Sequence, residues 1–171
     1  FPYSLKRKFG EWFRKKALSK IQKVACLVPG DFDLAKKKFN SDSVFFQSFY
    51  PNAFDFSFLN QIKKSENPNK EPKVLLGNSA SRTNNHFEGI DFLSQIQGID
   101  FEIVCPLSYG DKAYARQVEE YGKNRLGNRF IPLMDLLEPK EYAKVLASVD
   151  SAFMFHRRQQ ALGNIISLLY L

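Results

Sequence analysis

The sequence predicts an α/β fold organised around a doubly wound parallel sheet. From residue 73 onward, short apolar runs alternate with amphipathic segments of helical period. The runs are predominantly apolar, as expected of strands covered on both faces. Each is followed by a polar, Gly- or Pro-containing loop. This alternation implies right-handed crossovers that place helices on both sides of one sheet. A content of 44% hydrophobic and 15% aromatic residues excludes a disordered chain. The longest apolar stretch, Ile165 to Leu171 with Ser167 inside it, is too short to cross a bilayer.

Taken in order, Leu5, Phe9, Trp12, Phe13, Ala17 and Ile21 recur at steps of three and four and predict an amphipathic helix over residues 3–22. Val24 to Val28 reads as a strand closed by a Pro29-Gly30 turn, with Asp31 capping a helix that runs to Phe39. Ser43 to Tyr50 is β-prone and stops at Pro51. Asn60 to Pro72 holds one apolar residue in thirteen and reads as a linker. The expected organisation is therefore a first region over 1–60, a linker over 61–72, and a second domain over 73–171. In that domain the predicted strands are 73–76, 101–105, 130–133 and 151–155. The predicted helices are 85–97, 112–122, 138–147 and 160–171. Phe at position 1 and an ending inside an apolar helix suggest a piece of a longer protein, and no signal-peptide pattern is present.

Charge is localised. Residues 1–23 carry eight Lys or Arg against the single acid Glu11, which accounts for the whole net charge of +7, while residues 73–171 balance eleven of each sign. The second domain therefore lacks the electrostatic footprint of a nucleic-acid binder. Cys26 and Cys105 sit far apart within apolar runs and read as buried free thiols. Neither the cysteines nor the two histidines have metal-ligand spacing.

In a doubly wound sheet, ligands gather beyond the carboxyl ends of the strands, where helix N-termini present free N–H groups. Three segments fall there. Residues 77–86 (Gly-Asn-Ser-Ala-Ser-Arg-Thr-Asn-Asn-His) combine small residues, neutral donors and Arg82. They match no known phosphate loop, and an ordinary polar turn accounts for them as well. Residues 106–111 (Pro-Leu-Ser-Tyr-Gly-Asp) are common turn residues. Residues 156–164 (His-Arg-Arg-Gln-Gln-Ala-Leu-Gly-Asn) send two arginines from a strand end straight into a helix N-terminus, a pairing suited to phosphate oxygens. Gly163 in the first helical turn costs about 1 kcal/mol relative to Ala, which a close backbone approach would compensate.

Together, Leu76-Gly77-Asn78-Ser79 with Asn85-His86, Val104 through Gly110 with Tyr114, and Arg158-Gln159-Gln160-Ala161-Leu162-Gly163-Asn164 resemble the bacterial TDP-N-acetylfucosamine:lipid II N-acetylfucosaminyltransferases. These are also described as 4-alpha-L-fucosyltransferases, glycosyltransferase family 56. The resemblance implies a GT-B glycosyltransferase with Rossmann-like halves, of which this chain would hold the end of the acceptor domain and most of the donor domain. It further implies transfer of a 4-acetamido-4,6-dideoxy-galactose type sugar from a TDP-sugar to a polyprenyl-pyrophosphate-linked saccharide during surface polysaccharide synthesis. The donor-nucleotide residues implied are Asn78, Ser79, Asn85, His86, Tyr109, Arg157, Arg158, Gln159, Gln160, Gly163 and Asn164. No cofactor or metal is expected, and no catalytic base is assigned. Another nucleotide-sugar enzyme on a similar fold, such as an epimerase, remains an alternative, although GxGxxG is absent. The basic helix allows a third reading, a membrane- or partner-binding module. For a lipid-linked acceptor it would lie at the cytoplasmic face of the inner membrane, with Lys6, Arg7, Lys8, Arg14, Lys15 and Lys16 toward anionic lipid.

Overall fold

A computed structural model describes residues 5–49, 56–62, 71–158 and 160–171. The side chains of Lys6 and Arg7, the whole of Gln159, Tyr50 to Asn52 and residues 63–70 of the expected linker lie outside the described residues. The chain divides into two compact units, Phe1–Pro51 and Asn52–Leu171.

The first unit begins with α1 (Leu5–Leu18), followed by β1 (Lys23–Cys26), α2 (Pro29–Phe39) and β2 (Val44–Gln47). The two strands pair in parallel, Lys23 opposite Val44, so α2 is a crossover helix. Pro29 and Gly30 open α2 and form no separate turn. Proline's fixed φ suits the first helical position, and Val28 rather than Asp31 is the N-cap. Asp31 lies inside the first turn, where its charge complements the helix end. Phe32 packs on Phe45 with ring centroids 5.4 Å apart. Cys26 is only half-buried, contrary to the sequence expectation.

The second unit contains α3 (Phe56–Leu59), β3 (Lys73–Leu76), α4 (His86–Ser94), β4 (Glu102–Pro106), α5 (Lys112–Leu126), β5 (Phe130–Leu133), α6 (Pro139–Ser148), β6 (Ser151–Phe153) and α7 (Leu162–Tyr170). Its four strands are all parallel, in the order β5-β4-β3-β6. The mixed α/β architecture with parallel sheets is the Rossmann-like arrangement expected from the sequence. Alternate residues of the strands feed two cores. Leu76, Ile103 and Cys105 pack with α4 and α5, whereas Leu75 and Val104 pack with α6 and α7. Burial holds the Cys105 thiol far above its ordinary pKa, so it remains protonated core material.

The division at Pro51 falls ahead of the 61–72 linker. It does so because α3 packs on α7: Phe56 lies 4.6 Å from the Tyr170 ring, and the Tyr170 hydroxyl donates to Asn60 Oδ1 at 2.6 Å. α5 runs four residues beyond its expected end at Gly122. A Cβ at Gly122 would collide with the Phe130 ring, so this glycine is a contact surface for β5 and not a stop signal. Asp111 caps α5, accepting from the Ala113 and Tyr114 N–H groups at 2.9 and 3.1 Å.

Candidate functional site

Strand order reverses beside β3: the chain winds out through β4 and β5, then returns to place β6 on the other side. The loops after β3 and β6 therefore face one another at the switch point.

The loop after β3 is organised by Asn84, which is fully buried. Its Nδ2 donates to Ser79 O at 2.9 Å, Ser79 Oγ at 3.2 Å and Ser81 O at 3.3 Å, while its Oδ1 accepts from the Asn78 N–H at 3.2 Å. Asn85 takes a left-handed conformation (φ 50°) that ends a short 3-10 turn and starts α4, and its Nδ2 donates to Phe155 O at 2.8 Å. His86 is fully buried. Its Nδ1 lies 3.3 Å from the Tyr114 hydroxyl, and its Nε2 faces Gly77 so closely that a Cβ there would sit 3.0 Å away. Burial, reinforced by nearby His156, pushes the His86 pKa down to about 4, so the ring is neutral at physiological pH. Arg82, the charged member of this loop, stacks on the Tyr114 ring at 4.7 Å.

The loop after β6 is tied to this scaffold. The Arg157 N–H donates to Thr83 O at 3.2 Å, and its guanidinium pairs with Glu88 at 3.1 Å. Thr83 Oγ1 and Arg158 Nε both donate to Gln160 Oε1 at 2.8 Å. Arg158 is exposed and pairs with no carboxylate among the described residues. Gln160 Nε2 and His156 Nε2 are buried without a partner among the described residues. Ala161, immediately before α7, has φ 62°, a left-handed conformation costing about 1–2 kcal/mol for a residue with a Cβ. Strain of this kind collects at functional sites.

Beside these loops, a cavity of about 210 Å³ opens at the carboxyl ends of β3, β4 and β5. Asn78 and Asn164 meet there, from the β3 loop and the first turns of α7. Asn78 Nδ2 donates to the Tyr109 hydroxyl at 2.9 Å, and Asn164 Nδ2 donates to the Tyr142 hydroxyl at 2.8 Å. Burial pushes the Tyr142 pKa up to about 12, so its hydroxyl stays protonated. Leu133 and Pro106 supply apolar wall and Asp135 supplies a carboxylate. Among the described residues, no Lys or Arg lines the cavity.

Of the residues expected from sequence, Asn78, Tyr109 and Asn164 thus line one cavity. Ser79, Asn85 and His86 lie buried, with Asn85 and Ser79 bound into the loop framework, and Arg157, Arg158 and Gln160 form the flank toward β6. Gly163 precedes Asn164 in the first turn of α7. Asn84, Tyr142, Asp135 and His156 were not expected. Asn84 and His156 stood inside highlighted segments, whereas Tyr142 and Asp135 follow β5, whose loop carries no concentrated polar motif. Among the described residues, no group of three or more His, Cys, Asp or Glu side chains is arranged to hold a metal ion.

A family model described as 4-alpha-L-fucosyltransferase, glycosyl transferase group 56, matches residues 2–171. The chain belongs to this family. The match meets the resemblance seen in the three strand-end segments and extends it through the basic helix of the first unit. No solved structure matches the chain. For this fucosyltransferase family member, a glycosyltransferase, the switch point offers two unlike environments side by side. One is a cavity with aromatic and amide walls and no Lys or Arg among its described lining residues. The other is a flank with exposed arginines and buried nitrogens that have no partner among the described residues.

Proposed function

We propose that the second unit binds the TDP part of a TDP-sugar and that the whole protein is a GT-B glycosyltransferase. It moves a 4-acetamido-4,6-dideoxy-galactose type sugar to a polyprenyl-pyrophosphate-linked saccharide, in the manner of enterobacterial common antigen synthesis. The observation that carries this reading is the locking of the Asn78 loop to the Arg157–Gln160 loop across the switch point, through Thr83 and Asn85.

In the reaction, an acceptor hydroxyl oxygen forms a bond to the anomeric carbon, and the bond from that carbon to the pyrophosphate oxygen breaks. The hydroxyl proton passes to a base that this chain does not identify. Charge grows on the departing TDP. Arg158, the Gln160 Nε2 donor and the N–H groups opening α7 stabilise it, because preorganised donors act where charge develops. TDP-sugar is a substrate, and no separate cofactor enters this scheme.

The first unit supports a membrane-surface location on the cytoplasmic face. Among the described residues no helix is long and apolar enough to cross a membrane. On α1, Phe9, Trp12 and Phe13 are exposed and packed together, Phe9 stacked on Trp12 and Phe13 edge-on to both, with Lys16 over the Trp12 ring at 5.0 Å. Lys8, Arg14 and Lys15 are also exposed. Aromatic and basic residues mixed in this way suit an interfacial helix attracted to anionic lipid.

The test presents the full-length protein with TDP-, UDP- and GDP-sugars and a polyprenyl-pyrophosphate-linked acceptor in anionic vesicles. Transfer is expected from the TDP-sugar and falls as salt screens the surface. Transfer from another nucleotide sugar alone, or equal rates in anionic and neutral vesicles, would count against the donor and the membrane assignments respectively. The fragment alone is expected to be inactive.

A further inference from the structure

The cavity between Tyr109 and Tyr142 has features that the donor reading leaves unused. At about 210 Å³ it is smaller than the roughly 300 Å³ at which clefts for whole drug-sized ligands begin, so it seats one ring of a larger molecule. It has no cation among its described lining residues and carries the Asp135 carboxylate, so a phosphate is the wrong occupant. Two tyrosines and the apolar faces of Pro106 and Leu133 suit a flat ring.

One polar group in this wall has no partner among the described residues. Asn78 is only 8% exposed, its Nδ2 is engaged by the Tyr109 hydroxyl, and its Oδ1 is buried with nothing to accept from. A buried acceptor left unpaired is costly, and a ligand donor satisfies it. Its backbone N–H is fixed by Asn84, and the bond from Nδ2 to the Tyr109 hydroxyl orients the side-chain amide itself.

We propose that this cavity seats the pyrimidine ring of the donor nucleotide, with Asn78 Oδ1 accepting the ring's imide N3–H, which makes Asn78 the residue that specifies the base. The assignment rests on the donor-nucleotide reading above and deepens it. It separates the work of the site: the base enters this cavity, and the phosphates extend toward Arg158 and the start of α7. Thymine and uracil present an N–H between two carbonyls. Cytosine presents an unprotonated N3 at the same place, which repels the Asn78 oxygen.

The test is calorimetric titration of the full chain with TDP, UDP, CDP and TDP methylated at N3. TDP and UDP are expected to bind alike, and CDP and N3-methyl-TDP at least about tenfold more weakly, the consequence of leaving one buried acceptor unpaired. In Asn78→Leu the difference between TDP and N3-methyl-TDP should disappear. The methylated ligand needs no variant, so the outcome stands even if Asn78→Leu fails to fold. Equal binding of TDP and its N3-methyl form, or a preference for CDP, would overturn the base assignment while leaving nucleotide binding intact. Absence of binding by any of the diphosphates would instead remove the donor reading and this assignment with it.

Discussion

The loops after β3 and β6 are both polar, both end at helix N-termini, and both looked like ligand loops, yet they use their side chains in opposite ways. After β3, Asn84, Asn85 and Ser79 spend their hydrogen bonds on backbone and on one another. After β6, Arg158 is exposed, while Gln160 and His156 keep buried nitrogens without partners among the described residues. The first loop is mainly a framework, although His86 Nε2 and Asn78 Oδ1 also lack partners among the described residues, and the second adds an exposed cation. Asn78 crosses the divide, since its backbone belongs to the framework and its side chain to the cavity.

The sharpest way to break this contrast is Asn84→Leu. It strips the partner from the Asn78 N–H, while the Ser79 and Ser81 carbonyls each lose one bond but keep a backbone N–H. One buried group left unpaired costs about 1–3 kcal/mol, so urea denaturation should show a loss in that range. A loss below about 1 kcal/mol would mean that the loop does not depend on this residue.

Acid probes the same framework through His86. Its folded pKa of about 4 lies below the ordinary 6.5, so the unfolded chain takes up a proton first as pH falls. Its contribution is fully present above pH 6.5 and is lost on acidification toward pH 4, by up to about 3 kcal/mol. His156, lowered by burial and by Arg158, acts in the same direction. Urea midpoints measured from neutral pH down to about pH 4.5 should fall, with a shallower fall in His86→Gln.

The β6 side should respond in reverse. Arg158→Ala is expected to leave stability within about 0.5 kcal/mol, as for other exposed sites, yet to weaken nucleotide binding by about 1.5–3 kcal/mol. Arg157→Ala should weaken binding less, because its guanidinium already pairs with Glu88. Calorimetry on the two variants decides the order, and equal small losses would erase the distinction between the arginines.

Much of the fold was legible because apolar runs buried on two faces leave little ambiguity. β3 and β5 begin and end at the expected residues. Errors arose where a residue has a tertiary role that its local preference hides. Gly122 reads as a helix end until the Phe130 ring is seen against it, and Pro29 reads as a turn although it opens α2. At the site, the strand-end rule located Asn78, Tyr109 and Asn164. It passed over Tyr142, which reaches the cavity from α6 and resembles any other aromatic on an amphipathic helix. Asn84 was hidden differently, since three bonds from one amide become visible only when the loop closes around it.

The pairing of β3 with β6 also sets a timetable. Val74 lies opposite Ser151, so the central strand waits for a partner made long after its first neighbour, β4. At about 5–20 residues per second, synthesis leaves that edge uncovered for several seconds. An uncovered edge is open to pairing with the wrong chain. The Thr83–Gln160 and Asn85–Phe155 links can form only after β6 has been made. During translation the links between the β3 and β6 loops are therefore completed late, and a slowed ribosome between residues 106 and 151 lengthens the interval in which the β3 edge stays uncovered.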